Sequence, residues 1–104
     1  MADTRTTTPL TLEDLRARRD EILAIAARHG ASNVRVFGSV ARGEADEVSD
    51  LDVLVEMDKG RSLLDLAGFH LDLEDLLGVG VDVVTVKGLR ERVRDDIVAE
   101  AVSL

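Results

Sequence analysis

The stretch over residues 34–56 restricts the fold of this 104-residue chain more than any other part of it. It begins with a short β-branched run, which predicts a strand that ends at Gly38 and Ser39. After ten intervening residues, Asp50 and Asp52 stand at the start of a second apolar run. The pattern therefore predicts two strands, with a glycine, a hydroxyl and two carboxylates gathered around the connection between them.

The Gly38-Ser39 pair has the composition of a phosphate-binding turn. Glycine lets the backbone approach a ligand closely and adopt a positive φ. Residues 39–42 are expected to open a short helical turn, which Gly43 closes. The free N–H groups at the start of such a turn can bind an anion such as phosphate.

Asp50 and Asp52 form the candidate metal site. Because side chains in a strand alternate with a period of two, both carboxylates should lie on one face. They repel each other unless a cation lies between them, and oxygen ligands without His or Cys favour Mg²⁺ or Mn²⁺ over zinc. An isolated Asp-x-Asp or Gly-Ser pair is usually a solvated turn or loop. The combination between two strand patterns is far more specific.

The order Gly38, Ser39, Asp50, Asp52 resembles the signature of the polymerase-β-type nucleotidyltransferase superfamily. The wider wording GSVARGEADEVSDLDVLVE is similar to the minimal nucleotidyltransferases, the small partners of HEPN-domain toxins in bacterial and archaeal two-gene systems. The resemblance extends over about residues 12–104. It implies transfer of AMP from the substrate ATP to an acceptor hydroxyl, with two Mg²⁺ ions, or Mn²⁺, as cofactors.

Composition limits the classes of function. The formal net charge of −8 argues against a broad surface for direct nucleic-acid binding. The two aromatic residues, Phe37 and Phe69, both fall in apolar patterns, so no stacking platform for single strands is expected. No run approaches the ~20 apolar residues of a membrane helix, and the N-terminus lacks the apolar core of a signal peptide. With no cysteine present, these features predict a cytoplasmic protein that binds free nucleotide and no membrane.

The remaining pattern predicts a single domain over residues 11–104, after a flexible segment at 1–10. Thr11 and Asp14 resemble a capping box at the start of the first helix. Periodicity predicts helices at about 12–29, 62–77 and 89–101 and a third strand over 81–86. The expected fold is a small mixed α/β (α+β) domain, in which about four helices back a three-stranded sheet.

Asp82 interrupts the third strand with a carboxylate. The first strand ends where the second begins, so these two should be antiparallel if they are neighbours. The third strand, joined to the second through the 62–77 helix, should run parallel to it and bring Asp82 beside Asp50 and Asp52. By the resemblance, Asp82 is the third carboxylate of a two-metal site, and a general base is its alternative role.

The resemblance implies specific roles for these residues. Asp50 and Asp52 would bind the ion that carries the nucleotide, and with Asp82 they would hold a second ion at the acceptor hydroxyl. Gly38 and Ser39 would hold the β- and γ-phosphates. These roles make the three carboxylates the catalytic set.

Two further side chains have open roles. Arg42 either steadies the triphosphate or forms a surface salt bridge with Glu44 or Asp46. His70 lies in a helical pattern, where a lone histidine is more often packed or at the surface than catalytic.

The chain has no room for a second domain that would recognise an acceptor. By the resemblance, the acceptor is a tyrosine hydroxyl of a HEPN-type ribonuclease toxin, and this protein is its antitoxin. Two alternatives stay open: an antitoxin that neutralises by binding alone, and an aminoglycoside-type nucleotidyltransferase whose acceptor domain is supplied in trans. Association with itself or with a partner is possible, through apolar helices such as 62–77.

Overall fold

The computed structural model describes residues 10–46 and 49–104, so most of the flexible segment predicted at 1–10 lies outside the described residues. In chain order the elements are α1 Leu12–Ala17, α2 Arg19–Arg28, β1 Ala31–Phe37, α3 Gly38–Arg42, β2 Leu51–Met57, α4 Leu63–Leu77, β3 Val81–Thr85, α5 Glu91–Glu100 and β4 Val102–Ser103. This is the expected mixed α/β architecture. No helix within the described residues is long and apolar enough to cross a membrane.

The sheet has the strand order β3-β2-β1-β4. As predicted, β1 and β2 are antiparallel and β2 and β3 are parallel. The prediction of three strands was wrong, because β4 adds a fourth that pairs antiparallel with β1. Strand β4 has only two residues, which are too few to show the alternation of a strand in the sequence. The last helix was also predicted to continue to residue 101. The chain leaves that helix at Ala101, which has an extended backbone.

The helix predicted over 12–29 is two helices. Its capping box forms as expected, with Thr11 and Asp14 bonded to each other's backbone. The helix breaks at Arg18 (φ −113°, ψ 21°), whose guanidinium donates to the carbonyl of Leu76 at 3.0 Å. Leu15 and the buried Ile22 are two helical turns apart, so the apolar stripe continues across the break and does not reveal it.

The core lies on one face of the sheet. Odd-numbered side chains of β2 face α2 and α4, where Phe69 and Leu73 are fully buried. Full burial of a side chain of this size contributes about 1.5–3 kcal/mol. Helix α4 is fixed at both ends, by a capping box between Ser62 and Asp65 and by Gly78 in the left-handed conformation. With one face of the sheet occupied by these helices, the even-numbered residues of β2 and β3 face the other side.

Candidate active site

The sheet register brings two of the predicted carboxylates side by side. Phe37 of β1 pairs with Asp52 of β2, and Asp52 pairs with Asp82 of β3. Residues paired across neighbouring strands point to the same face, and the strands are about 4.8 Å apart. Asp52 is half-buried, whereas Asp82 at the edge of the sheet is exposed. Asp50 lies just before β2, at the same end of the sheet.

Gly38 brings the backbone of the first turn against Asp52. Its φ of +78° is a left-handed conformation, and a Cβ on Gly38 would overlap Oδ2 of Asp52. Helix α3 then begins at Gly38, and among the described residues no side chain forms a capping hydrogen bond at its first turn. The predicted closing role of Gly43 is confirmed, because it ends α3 at φ +73°.

Gly80 lies against Asp50, much as Gly38 lies against Asp52. The N–H of Leu51 donates to the carbonyl of Gly80 at 2.9 Å, which ties the start of β2 to the start of β3. A Cβ on Gly80 would lie 2.5 Å from Oδ1 of Asp50. Gly80 was not predicted to belong to the site. Its only signal in the sequence is that it is a second glycine immediately before the strand that carries Asp82.

The carboxylates act on one another electrostatically. The pKa of Asp52 is raised above its ordinary value, first by burial and then by the negative charges of Asp82, Asp50 and Glu100, while Arg42 opposes the shift. Within residues 10–46 and 49–104, no three His, Cys, Asp or Glu side chains are gathered closely enough to hold a metal ion by themselves. The site is therefore a group of interacting negative charges rather than a closed metal cage.

Arg42 is held by two carboxylates at the surface. Its Nε donates to Glu44 Oε1 at 2.8 Å, and one terminal nitrogen contacts Glu100 of α5. These partners raise the pKa of Arg42, with Glu44 the larger cause. Of the two open interpretations of Arg42, the salt bridge to Glu44 is the one the structure contains. Glu100 was not predicted, since nothing in a local pattern connects it to a residue far away in the sequence.

Comparison with known proteins identifies the fold and its chemistry. A sequence model of the nucleotidyltransferase domain matches residues 19–104. The chain belongs to the nucleotidyltransferase domain family. This nucleotidyltransferase is 43% identical, over 81% of its length and 90% of the relative, to a candidate protein adenylyltransferase of Methanocaldococcus jannaschii. It is 38% identical to the protein adenylyltransferase MntA of Thermococcus cleftensis, over 89% of its own length and 95% of that of MntA.

Solved structures agree with this assignment. The nucleotidyltransferase superposes on a candidate minimal nucleotidyltransferase with a TM-score of 0.83 and 58% identity, over 91% of this chain and 97% of the other. A complex of an MNT antitoxin with a tri-AMPylated HEPN toxin from Shewanella oneidensis contains a chain of the same fold, with a TM-score of 0.64 and 14% identity. That match covers 85% of this chain and 69% of the other.

Proposed function

We propose that this nucleotidyltransferase transfers AMP from ATP to a tyrosine hydroxyl of a HEPN-domain toxin and thereby acts as an antitoxin. The transferred group is supported by relatives named as protein adenylyltransferases, to which the chain is 43% and 38% identical over the aligned residues. The HEPN partner is supported by the AMPylated toxin in the complex that shares the fold. The observation that carries the proposal is the register that sets Asp52 beside Asp82, with Gly38 directly against Asp52.

The carboxylates fit a magnesium-dependent site. Asp50 is exposed, and Asp52 is destabilised as an anion by its two neighbours, so a divalent cation would relieve repulsion that the fold has built in. Mg²⁺ usually binds through one or two carboxylates together with substrate phosphates. Asp50 and Asp52 would hold the ion that carries the triphosphate, and Asp82 would join them at a second ion. Mn²⁺ satisfies the same ligand set.

The chain's own residues then position the reaction. The N–H groups at Gly38 and Ser39 bind the β- and γ-phosphates. The acceptor oxygen forms a bond to the α-phosphorus as the bond from that phosphorus to the β-phosphate oxygen breaks, and pyrophosphate leaves. If Asp82 does not hold the second ion, its exposed carboxylate at the edge of the sheet would instead accept the hydroxyl proton. The bound ions supply charge neutralisation and lower the pKa of the attacking hydroxyl.

The interactions of Arg42 are expected to change when ATP binds. It lies at the end of α3, the helix whose first turn binds phosphate, and its two carboxylate partners are both at the surface. A triphosphate carries more negative charge than either carboxylate. Arg42 would therefore exchange Glu100 for a phosphate oxygen when ATP binds.

A growth assay can distinguish an antitoxin that acts by catalysis from one that acts by binding alone. Cells that express the HEPN toxin should grow when this chain is co-expressed and should stop growing when it carries Asp50→Asn and Asp52→Asn. The double substitution removes the proposed metal ligands and leaves the shape of the surface unchanged. Full protection by the double variant would instead support an antitoxin that acts by binding alone.

A further inference from the structure

A groove runs from Asp82 along the edge of the sheet that β3 forms, between β3 and α4. Its first part, about 210 Å³, lies between Asp82 and Val83 of β3 and Leu66 and His70 of α4. Its second part, about 470 Å³, continues past Leu66 to the far end of β3. Leu63 and Leu66 line both parts, so the two are one continuous surface. The groove thus begins at a carboxylate of the proposed active site.

The floor of this groove is the free edge of a strand. In the strand order β3-β2-β1-β4, which covers the described part of the chain, β3 has a neighbour on one side only. The N–H of Leu51 bonds to the carbonyl of Gly80, and the N–H of Val86 bonds to that of Val55. Even-numbered residues of β3 therefore direct their backbone groups to β2, and the odd-numbered ones direct theirs outward.

Backbone groups at the ends of this edge are already bonded. The outward N–H of Val81 donates to the Glu74 carboxylate at 3.0 Å, and the carbonyl of Thr85 accepts from the N–H of Gly88 at 3.1 Å. Between them, Val83 presents both its N–H and its carbonyl to the open groove. An extended peptide beside β3 could form a pair of backbone hydrogen bonds with Val83, one residue from Asp82.

The side chains around the groove favour a peptide of particular composition. Leu63 is 82% exposed, which is unusual for a large apolar side chain at the entrance of a groove. At the end remote from Asp82, the groove is lined by Arg61, Lys87 and Glu56, and the Glu56 carboxylate is already bonded to Asn33 and Arg35. Within the described residues, Arg61 is paired with Asp65, and no ion-pair partner is found for Lys87. Apolar side chains followed by an acidic one would complement this surface.

We propose that the groove between α4 and the free edge of β3 binds an extended segment of the acceptor protein, which adds as a strand at Val83 and places the acceptor hydroxyl at Asp82. The segment has apolar side chains against Leu63 and Leu66 and an acidic residue near Lys87. This proposal rests on the proposed function for the nature of the partner. A strand added at Val83 would hold the acceptor segment beside the carboxylate of Asp82.

A matched pair of substitutions tests the groove. Leu63 and Leu64 are neighbours on α4 with 82% and 83% of their side chains exposed, but only Leu63 lines the groove. Affinity for the HEPN-domain protein that is its proposed partner is measured without ATP. Leu63→Glu should weaken it by about tenfold or more, and Leu64→Glu by about twofold at most. Equal effects of both substitutions, or no effect of Leu63→Glu, would overturn the proposal.

Val83→Pro tests the strand pairing separately. It removes the outward N–H but no hydrogen bond to β2, and proline is tolerated at such edge positions. Binding of the HEPN protein should weaken by about tenfold, while binding of Mg²⁺-ATP to the chain alone stays unchanged. Unchanged binding of the HEPN protein would contradict strand addition.

Two more outcomes distinguish binding of an acceptor segment in the groove from the proposed function and from self-association of the chain. If wild-type protein binds the HEPN protein but transfers no AMP, the proposed function fails, and the affinities of the variants still test the groove. If Leu63→Glu changes the sedimentation of the chain alone, a second copy of the chain covers the groove in solution. That result would contradict docking of an acceptor segment there.

Discussion

The carboxylate of Asp52 lies over the Cα of Gly38, in the space that a Cβ would fill. The contact joins β2 to the start of α3, so the proposed metal ligand and the proposed phosphate-binding turn determine each other's positions. Two properties of glycine are needed at position 38: it adopts the left-handed backbone conformation, and it has no side chain that would displace Asp52. Gly43 also adopts the left-handed conformation, but among the described residues it has no neighbour that a Cβ would displace.

Gly38→Ala should therefore lose far more activity than Gly43→Ala. Both residues have φ above +70°, so both substitutions should destabilise the fold by about 1–2 kcal/mol. Only Gly38→Ala displaces Asp52, since a Cβ at Gly43 meets no atom of residues 10–46 or 49–104 within 4 Å. Displacement of a catalytic group by about 1 Å can cost about 100-fold in rate. Adenylyl transfer and thermal unfolding are measured for both variants, and equal activities would contradict the role of this contact.

Gly80→Ala should selectively weaken the binding of the metal ion. The added methyl group would press on Oδ1 of Asp50, and Gly80 has no left-handed backbone to strain. Loss of such support for a ligand typically costs about 10–100-fold in metal affinity. The Mg²⁺ concentration for half-maximal activity should rise accordingly, and excess Mg²⁺ should restore much of the rate. A lower rate with an unchanged Mg²⁺ dependence would show that Asp50 is not a metal ligand.

Asp52→Asn should stabilise the metal-free protein while it abolishes activity. The pKa of Asp52 is raised in the fold, so the folded state binds its proton more tightly than the unfolded state does. Ionisation of Asp52 therefore costs stability as pH rises above the ordinary value of 3.8. Solvent screening limits this cost to about 0.5 kcal/mol, which corresponds to a melting temperature about 2–4 °C higher for the variant.

The pH dependence provides the control for Asp52→Asn. Below pH 3.8 the carboxyl is protonated in both the folded and the unfolded state, so the advantage of the variant should disappear. Thermal unfolding of the wild type and of Asp52→Asn, at neutral and at acidic pH, measures this difference in stability. A variant that is less stable than wild type at pH 7 would show that Asp52 forms favourable interactions that asparagine cannot replace.

Glu100→Gln should improve the binding of ATP. Glu100 contacts Arg42 and also contributes to the raised pKa of Asp52. Its neutralisation weakens the pair at Arg42, although an exposed ion pair is weak because solvent screens it. The KM for ATP should fall by up to about fivefold, with little change in kcat. A higher KM would mean that Glu100 orients Arg42 for the phosphate rather than competing for it.

The local parts of this site were predictable because their signals are local. Strand periodicity ends at Gly38 and resumes next to Asp50, and the helix between β2 and β3 determines that Asp82 lies in a parallel neighbour. The break at Arg18 left no signal, because the apolar stripe has the same period on both sides of it. Contacts with Glu100 and Gly80 were also missed, since they depend on where distant segments meet in the fold.

Protein adenylylation can be measured as the intact mass of the HEPN-domain protein after incubation with this nucleotidyltransferase, Mg²⁺ and ATP. We expect a gain of one or more AMP units, which disappears when the enzyme carries Asp50→Asn and Asp52→Asn. An unchanged mass, in a mixture where the two proteins demonstrably form a complex, would contradict protein adenylylation and leave binding alone as the mode of neutralisation.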